Sequence, residues 1–296
     1  MELTSIAHLA KVDKNLIKYA SVTDRIEAHL EDMNALTVKI PVEFTLGNAG
    51  RPKGVFSAST VGEISGKSLN GRYPMGCARK MYYAYTGAKS EGAWETRLRR
   101  RLDEGTAVHA LVQSYLHEFA NQHEDSEKFE SEVVVSPDTN DIADRYDLSG
   151  HADGIYTVDT PKGKIRFGLE IKTASDNQFK GTSCPHPEHL IQGTIYQKCL
   201  DLPIMLFLYW NVNDCQIAEY IQVFDENRWD AVVAKVDFVR EQALAGKMPD
   251  QEVTFSCRNC QYKGACKPPR QLGRLDRSVH SSFRNSMVTA SREAKE

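Results

Sequence analysis

No stretch of this 296-residue sequence reaches the roughly 18 uninterrupted apolar residues that a membrane span requires. The opening residues, Met1 to His8, lack both the basic and the apolar region of a secretory signal. These absences lead us to expect a cytoplasmic protein. Excess charge is also lacking: a formal net charge of −3 gives no global pull toward a polyanion, so any such pull must come from local patches. Arg97, Arg99, Arg100 and Arg101 form one patch; the segment after Cys266, with seven Lys or Arg against three acids, forms another. Seven cysteines is an odd number, and in a reducing compartment they do not make a disulfide framework. Val61 to Ser68 imitates a phosphate-binding loop, but Val61 replaces its first glycine and no buried strand precedes it, which argues against a nucleotide site there. The remaining composition, 41% hydrophobic and 26% charged, is ordinary for a globular protein, and the length fits two domains or one large domain with appendages.

What is present is organised around residues 150 to 172. Ile165, Phe167, Leu169 and Ile171 alternate with Arg166, Gly168, Glu170 and Lys172, which predicts a strand with Glu170 and Lys172 on one face. Asp147 to Val158 reads as a preceding strand, and Thr160-Pro161-Lys162-Gly163 is a turn signal between the two. A hairpin is therefore expected to bring Asp153 beside Glu170 and Lys172. Two carboxylates at close range repel each other, and a shared proton or a bound cation relieves the repulsion. Hard oxygen ligands favour magnesium or manganese. An adjacent ammonium suits a reaction in which a water attacks a phosphate and negative charge grows. A Glu-x-Lys alone is a frequent accident, as Glu293-Ala294-Lys295 in the polar tail illustrates, so the pattern takes its weight from its surroundings.

Cys257, Cys260 and Cys266 form a Cys-x2-Cys-x5-Cys cluster in a polar stretch, which is metal-ligand spacing. Cys184, Cys199 and Cys215 are isolated and read as small buried hydrophobes. Cys77, in the basic and aromatic run Gly76 to Tyr83, has surroundings unlike a core, and it is the candidate for a fourth thiolate. Its bond to the C-terminal cluster would close a loop of nearly the whole domain.

Around this centre the chain alternates between helical and strand patterns. An amphipathic helix is expected near Leu16 to Leu36, followed by linker residues from Gly47 to Gly54. From Trp94 to Phe119 the residues Leu98, Leu102, Gly105, His109, Val112, Leu116 and Phe119 share one stripe, which points His109 inward; by itself such a histidine is more often a satisfied core residue than a ligand. The arginine run before it is either a solvated face or a track for a phosphate backbone. Phe129 to Val135 reads as a strand. Pro187 to Leu200 reads as a helix whose His189, Gln192, Tyr196 and Cys199 share a face, either lining a cleft or serving as a hydrogen-bonded packing face. Two further strands, Pro203 to Trp210 and Cys215 to Phe224, precede a long helix capped by Asp225 and ending near Gly246. The class expected is α/β.

With these residues assembled, the chain resembles the PD-(D/E)xK nuclease superfamily, and within it the RecB-like iron-sulfur branch that includes the CRISPR-associated exonucleases and the AddB-type nuclease domains. The resemblance rests on ordered motifs between about Phe56 and Pro268: Ser57-Ala-Ser59, Cys77-Ala-Arg79-Lys-Met-Tyr82-Tyr83, Gly105-Thr-Ala-Val-His109, Gly150-His-Ala-Asp153, Glu170-Ile-Lys172, His189-Leu-Ile-Gln192-Gly-Thr-Ile-Tyr196, and the three C-terminal cysteines. It implies a restriction-endonuclease-like core, a mixed central sheet flanked by helices, with an iron-sulfur staple joining its N- and C-terminal parts. It divides the chain into an N-terminal helical extension (1–54), the nuclease domain (55–268) and a basic polar tail (269–296). It further implies that Asp153, Glu170, His109 and the Ile171 carbonyl hold Mg2+ or Mn2+, that Lys172 positions the attacking water, and that Gln192 and Tyr196 support the site and contact DNA. Cys77, Cys257, Cys260 and Cys266 are implied to hold a 4Fe-4S cluster, with zinc the less favoured occupant. The function so expected is a metal-dependent DNA exonuclease acting at ends or on single strands. No helicase motor is encoded, so unwinding would come from a helicase, recombination or integration partner. The alternative is a DNA-end-binding or assembly subunit of a recombination or CRISPR-adaptation complex.

Overall fold

In the computed structural model, residues 19–32, 53–63, 73, 75–90, 96–253 and 255–267 are described. The elements run α1 (Thr23–Asp32), β1 (Phe56–Ser57), α2 (Ala58–Gly62), α3 (Ala78–Tyr85), α4 (Thr96–Gln122), β2 (Glu127–Val135), α5 (Asp141–Tyr146), β3 (Leu148–Thr160) and β4 (Gly163–Ala174). Then follow α6 (Asp176–Lys180), α7 (Pro187–Leu200), β5 (Ile204–Asn211), β6 (Ile217–Val223), α8 (Glu226–Leu244), a 3-10 turn (Phe255–Asn259) and the single-turn α9 (Lys263–Cys266).

The expected hairpin is the spine of the sheet. β3 and β4 pair antiparallel from Gly154↔Leu169 to Thr160↔Gly163, leaving Pro161 and Lys162 as the turn. Thr160 closes that turn by donating its hydroxyl to the Gly163 carbonyl (2.8 Å) while accepting the Lys162 amide (3.2 Å), and Gly163 takes φ +113, a value that L side chains rarely adopt. The strand order is β1-β3-β4-β5-β6, with β2 also paired to β3. β4 and β5 are parallel and joined through α7, as a crossover requires; the remaining long pairs are antiparallel. The sheet is therefore mixed.

Hydrophobic cores form on both faces. One packs Phe207 and Tyr209 against Val61, Met81, Leu190, Ile195, Val232 and Val236, from α2, α3, α7 and α8. The other packs Phe167, Leu169, Ile171, Leu206 and Leu208 against Val112 and Leu116 of α4 and Ile26 of α1. β5 supplies both cores and is buried on both faces, as its dense apolar run requires. Each such side chain contributes about 1.5–3 kcal/mol on burial. The expected Leu16 to Leu36 helix corresponds in its described part to α1, which joins the α4 core and is clamped by Arg25 on Glu127 (2.8 Å) and by Glu219 accepting the Val22 and Thr23 amides. The linker from Gly47 lies mostly outside the described residues, as do residues 64–68 of the loop imitation and the tail from 268.

Three expectations are corrected. Asp147 does not belong to a strand: Asn140 caps α5 through the Ile142 and Ala143 amides, and Asp147 ends that short helix at φ +52 before β3 begins. Leu98 and Leu102 do not join the core. They are 46% and 41% exposed, and the hydrophobic side chains of α4 that pack against the core begin at Val108, with full burial from Val112. Cys215 is exposed at φ +60 in the tight turn between β5 and β6, where neither sheet face covers it; Cys199 is buried as expected, and Cys184 is half-buried. Among the described residues no helix is long and apolar enough to cross a membrane.

Candidate functional site

The β3–β4 ladder stops at Gly154↔Leu169, and beyond it the strands fork. A buried strand amide that loses its ladder partner must find another. Asp153 provides it: its Oδ2 accepts the Ile171 amide at 2.6 Å, while Oδ1 lies 3.2 Å from His109 Nδ1 on α4. Burial by itself would push Asp153 up, but His109, Lys172 and the Ile171 amide together hold it below the usual carboxylate range. For His109 burial works downward, and Asp153 overrides it, raising the imidazole above its ordinary value.

Glu170 lies deeper, 2% exposed. Its Oε1 receives the Lys172 ammonium at 2.5 Å, and its Oε2 is buried without a hydrogen-bond partner among the described residues. Burial and then the charge of Asp153 push Glu170 up to about 7 against the pull of Lys172. Burial disfavours the Lys172 ammonium, yet Glu170 and Asp153 outweigh it and raise the amine above its ordinary value. Two carboxylates and one ammonium are thus held together in a space where each sets the protonation of the others.

Behind them stands α7, started by Pro187 at its first turn and buried over most of its circumference. Gln192 and Tyr196, four residues apart, share a face. Lys172 Nζ donates to Gln192 Oε1 (3.2 Å) and Gln192 Nε2 donates to the Tyr196 hydroxyl (3.2 Å), the amide orientation following from this network. Tyr196 lies over Gly150, where a Cβ would come within 2.8 Å of its ring and hydroxyl. Gln192 and Tyr196 are 9% and 2% exposed and stand behind Lys172 rather than on an open surface. Their position suits support of the lysine better than the DNA contact that the resemblance implies.

The site opens into a cleft of about 1040 Å³ between α4, the middle of β2 and β3 and the end of β4, lined among others by Arg101, His109, Asp153, Ile171, Lys172 and His189. Glu170 is not part of its lining. Arg97, Arg100 and Arg101 lie exposed on the first turns of α4. Two residues that the sequence reading passed over belong to the cleft. Gln113 donates to the Asp153 carbonyl (2.9 Å) and to Glu132 Oε1 (2.7 Å). Glu132 takes φ +51, and the β2–β3 register passes from Ser131↔Gly154 to Val133↔Ala152 without pairing the residue between. Gln113 was findable, four residues beyond His109 on the same helix face; nothing local marks Glu132.

Apart from this cleft, Cys77, Cys257, Cys260 and Cys266 line one cavity with Arg79, Lys80 and Glu252. None of them is in a disulfide, and burial raises the Cys77 and Cys260 thiols. The segment is tied to α3 by Arg79 donating to the Pro249 carbonyl (2.7 Å), by the Ala78 amide on Glu252 (3.0 Å), and by Tyr83 against Tyr262. Buried Lys235 of α8 reaches the same Glu252 at 3.2 Å. Among the described residues, no group of three or more His, Cys, Asp or Glu stands in a metal-holding arrangement, in this cavity or in the cleft.

No family model matches the chain, and no curated protein sequence matches it. Solved structures that are similar include SSO0001, at 15% identity over 84% of this chain and 96% of that one, with a TM-score of 0.43. Another is the alkaline exonuclease LHK-Exo from Laribacter hongkongensis, at 14% identity over 65% of this chain and 89% of that one, with a TM-score of 0.44. The same exonuclease in complex with dAMP matches at 15% identity with a TM-score of 0.44.

Proposed function

We propose that the chain is a metal-dependent deoxyribonuclease of the RecB-like PD-(D/E)xK type, hydrolysing phosphodiester bonds at DNA ends or in single strands. The observation that carries the reading is the fork of β3 and β4, which sets Asp153 and Lys172 in the lining of the cleft with Glu170 buried beside them, its Oε2 without a partner among the described residues. A buried carboxylate oxygen with no donor, beside a second carboxylate, fits a hard divalent cation; Asp153, Glu170, His109 and the Ile171 carbonyl would hold Mg2+ or Mn2+. Such an ion supplies Lewis acidity toward the phosphate and makes a bound water easier to deprotonate.

The protein's own groups do the rest. Lys172, anchored on Glu170 and Gln192, presents an ammonium to the cleft, where it orients the attacking water and offsets the charge growing on the phosphate. Gln192 and Tyr196 hold the lysine in that pose. Arg101 in the cleft lining, with Arg97 and Arg100 exposed on the same stretch of α4, suits the phosphate backbone of an incoming strand. The four thiols around one cavity make a soft donor set that suits iron-sulfur or zinc; we assign a 4Fe-4S cluster to Cys77, Cys257, Cys260 and Cys266.

The test is cleavage of end-labelled single- and double-stranded DNA with manganese, comparing the wild type with Asp153→Ala and Lys172→Ala. We expect each variant to lose about 10²–10³-fold in rate while DNA binding persists. Equal degradation by all three would refute the site assignment. Binding without cleavage by any of them would favour an end-binding assembly subunit.

A further inference from the structure

His189 lines the same cleft as Lys172 and takes no part in the linkage from Glu170 to Tyr196. Its Nδ1 lies 2.6 Å from the hydroxyl of Tyr209. Tyr209 is the register partner of Lys172 on β5, so both side chains rise from the same sheet face toward α7, and Tyr209 is 2% exposed. The same hydroxyl accepts the backbone amide of His186, the N-cap of α7, at 3.0 Å.

These contacts determine where the protons sit. A tyrosine hydroxyl has one proton to give, and here one of its acceptor positions is already taken by His186. If Nδ1 carried the imidazole proton and donated it, the buried Tyr209 proton would have no acceptor among the described residues. Donation from Tyr209 to Nδ1 satisfies every group, so the ring proton of neutral His189 sits on Nε2. Burial, with the charge of Lys172 and the neighbouring His186, holds His189 well below its ordinary value and keeps it neutral. Nε2 has no hydrogen-bond partner among the described residues, and a protonated Nε2 has no lone pair to offer a cation. The residue is a donor, in contrast to His109.

We propose that His189 is a further catalytic residue of this cleft: a neutral imidazole, locked by Tyr209 in the Nε2–H tautomer, that donates a hydrogen bond to a non-bridging oxygen of the phosphodiester. The proposal rests on the nuclease reading. It assigns the cleft two donors of different kinds, the charged Lys172 and a fixed neutral N–H, both aimed at an oxygen that gains charge as water attacks.

Two measurements on the full-length protein test it. Long-range 1H–15N correlation on histidine-labelled protein, assigned by the signal lost in His189→Gln, should show the Nε2–H tautomer. A Nδ1–H tautomer or an imidazolium at neutral pH would overturn the lock. Single-turnover cleavage of labelled DNA with manganese should fall about 10²-fold in His189→Leu with DNA affinity changed by less than about threefold. His189→Gln, whose side-chain amide carries a donor near the position of Nε2, should recover much of that loss. Wild-type rates in His189→Leu, or no rescue by a folded His189→Gln, would sink the catalytic role while leaving the nuclease reading intact. A wild type that cuts no DNA sinks the nuclease reading and the catalytic role together, and the tautomer measurement still judges the lock.

Discussion

Buried between Asp153 and Lys172, Glu170 makes the stability of this protein depend on pH in a direction opposite to that of an ordinary salt-bridged carboxylate. Its folded value, about 7, lies above the value near 4.5 that it has when exposed, so the folded state keeps a proton that the unfolded state has released. Stability is therefore lost as pH rises from about 4.5 through about 7, by at most about 1.4 kcal/mol per pH unit for one group. His109, also raised, adds a loss of the same sign above its ordinary value. Chemical denaturation of the metal-free protein between pH 4.5 and 8 should show this decline, and Glu170→Gln should flatten its lower part. Added manganese should stabilise more at pH 8 than at pH 5, because proton and cation compete for the same oxygens. A Glu170→Gln profile parallel to the wild type would show that the carboxylate is not raised.

Between elements, the contact that matters most is that of β3 with α7. Gly150 admits Tyr196 so closely that any side chain at 150 must displace the ring. Tyr196 holds Gln192, and Gln192 holds Lys172, so a methyl group on β3 reaches the lysine through two hydrogen bonds. Gly150→Ala should cost about 1–3 kcal/mol, as overpacking in a close-packed core does, and should lower cleavage more than DNA binding. Unchanged denaturation midpoint and rate would show that Tyr196 moves aside without consequence. On the opposite face, α4 divides into an inner part, packed through Val112 and Leu116, and an outer part with Leu98, Leu102 and the arginines in the open. The single helix thus carries His109 at the boundary between core and cleft.

Across the whole molecule, the four cysteines line one cavity between the start of α3 and the last described turn, with most of the sheet between them in sequence. A thiolate-metal staple closing so long a loop restricts the unfolded chain, and such sites contribute on the order of 10 kcal/mol to folding. Purified without oxygen, the protein should be brown, with iron and sulfide in stoichiometric amounts, and Cys77→Ser should bleach it and lower its melting temperature by several degrees or more. A colourless wild type with one zinc per chain would reject the cluster and keep the staple. Cys199→Ser should leave the colour untouched, since that thiol is packed in the α7 core and burial pushes it up to about 12.

The alternation from Ile165 to Lys172 by itself determined that Glu170 and Lys172 share a face, because period two is a local property of any strand. The Pro161-Lys162 turn likewise placed Asp153 near them, and the cysteine spacing marked a cluster. Helix ends were less legible: the short α5 is built on one cap, Asn140, and leaves little periodicity to read. Only the tertiary structure decided that β3 and β4 part company beyond Gly154, so that Asp153 takes the Ile171 amide with its side chain. Only it placed Gln113 on the Asp153 carbonyl, and Tyr209 on His189. The physical reason is common to all three. Each is a polar group whose ladder or solvent partner is removed by packing between segments distant in sequence, and what replaces that partner depends on which segments meet.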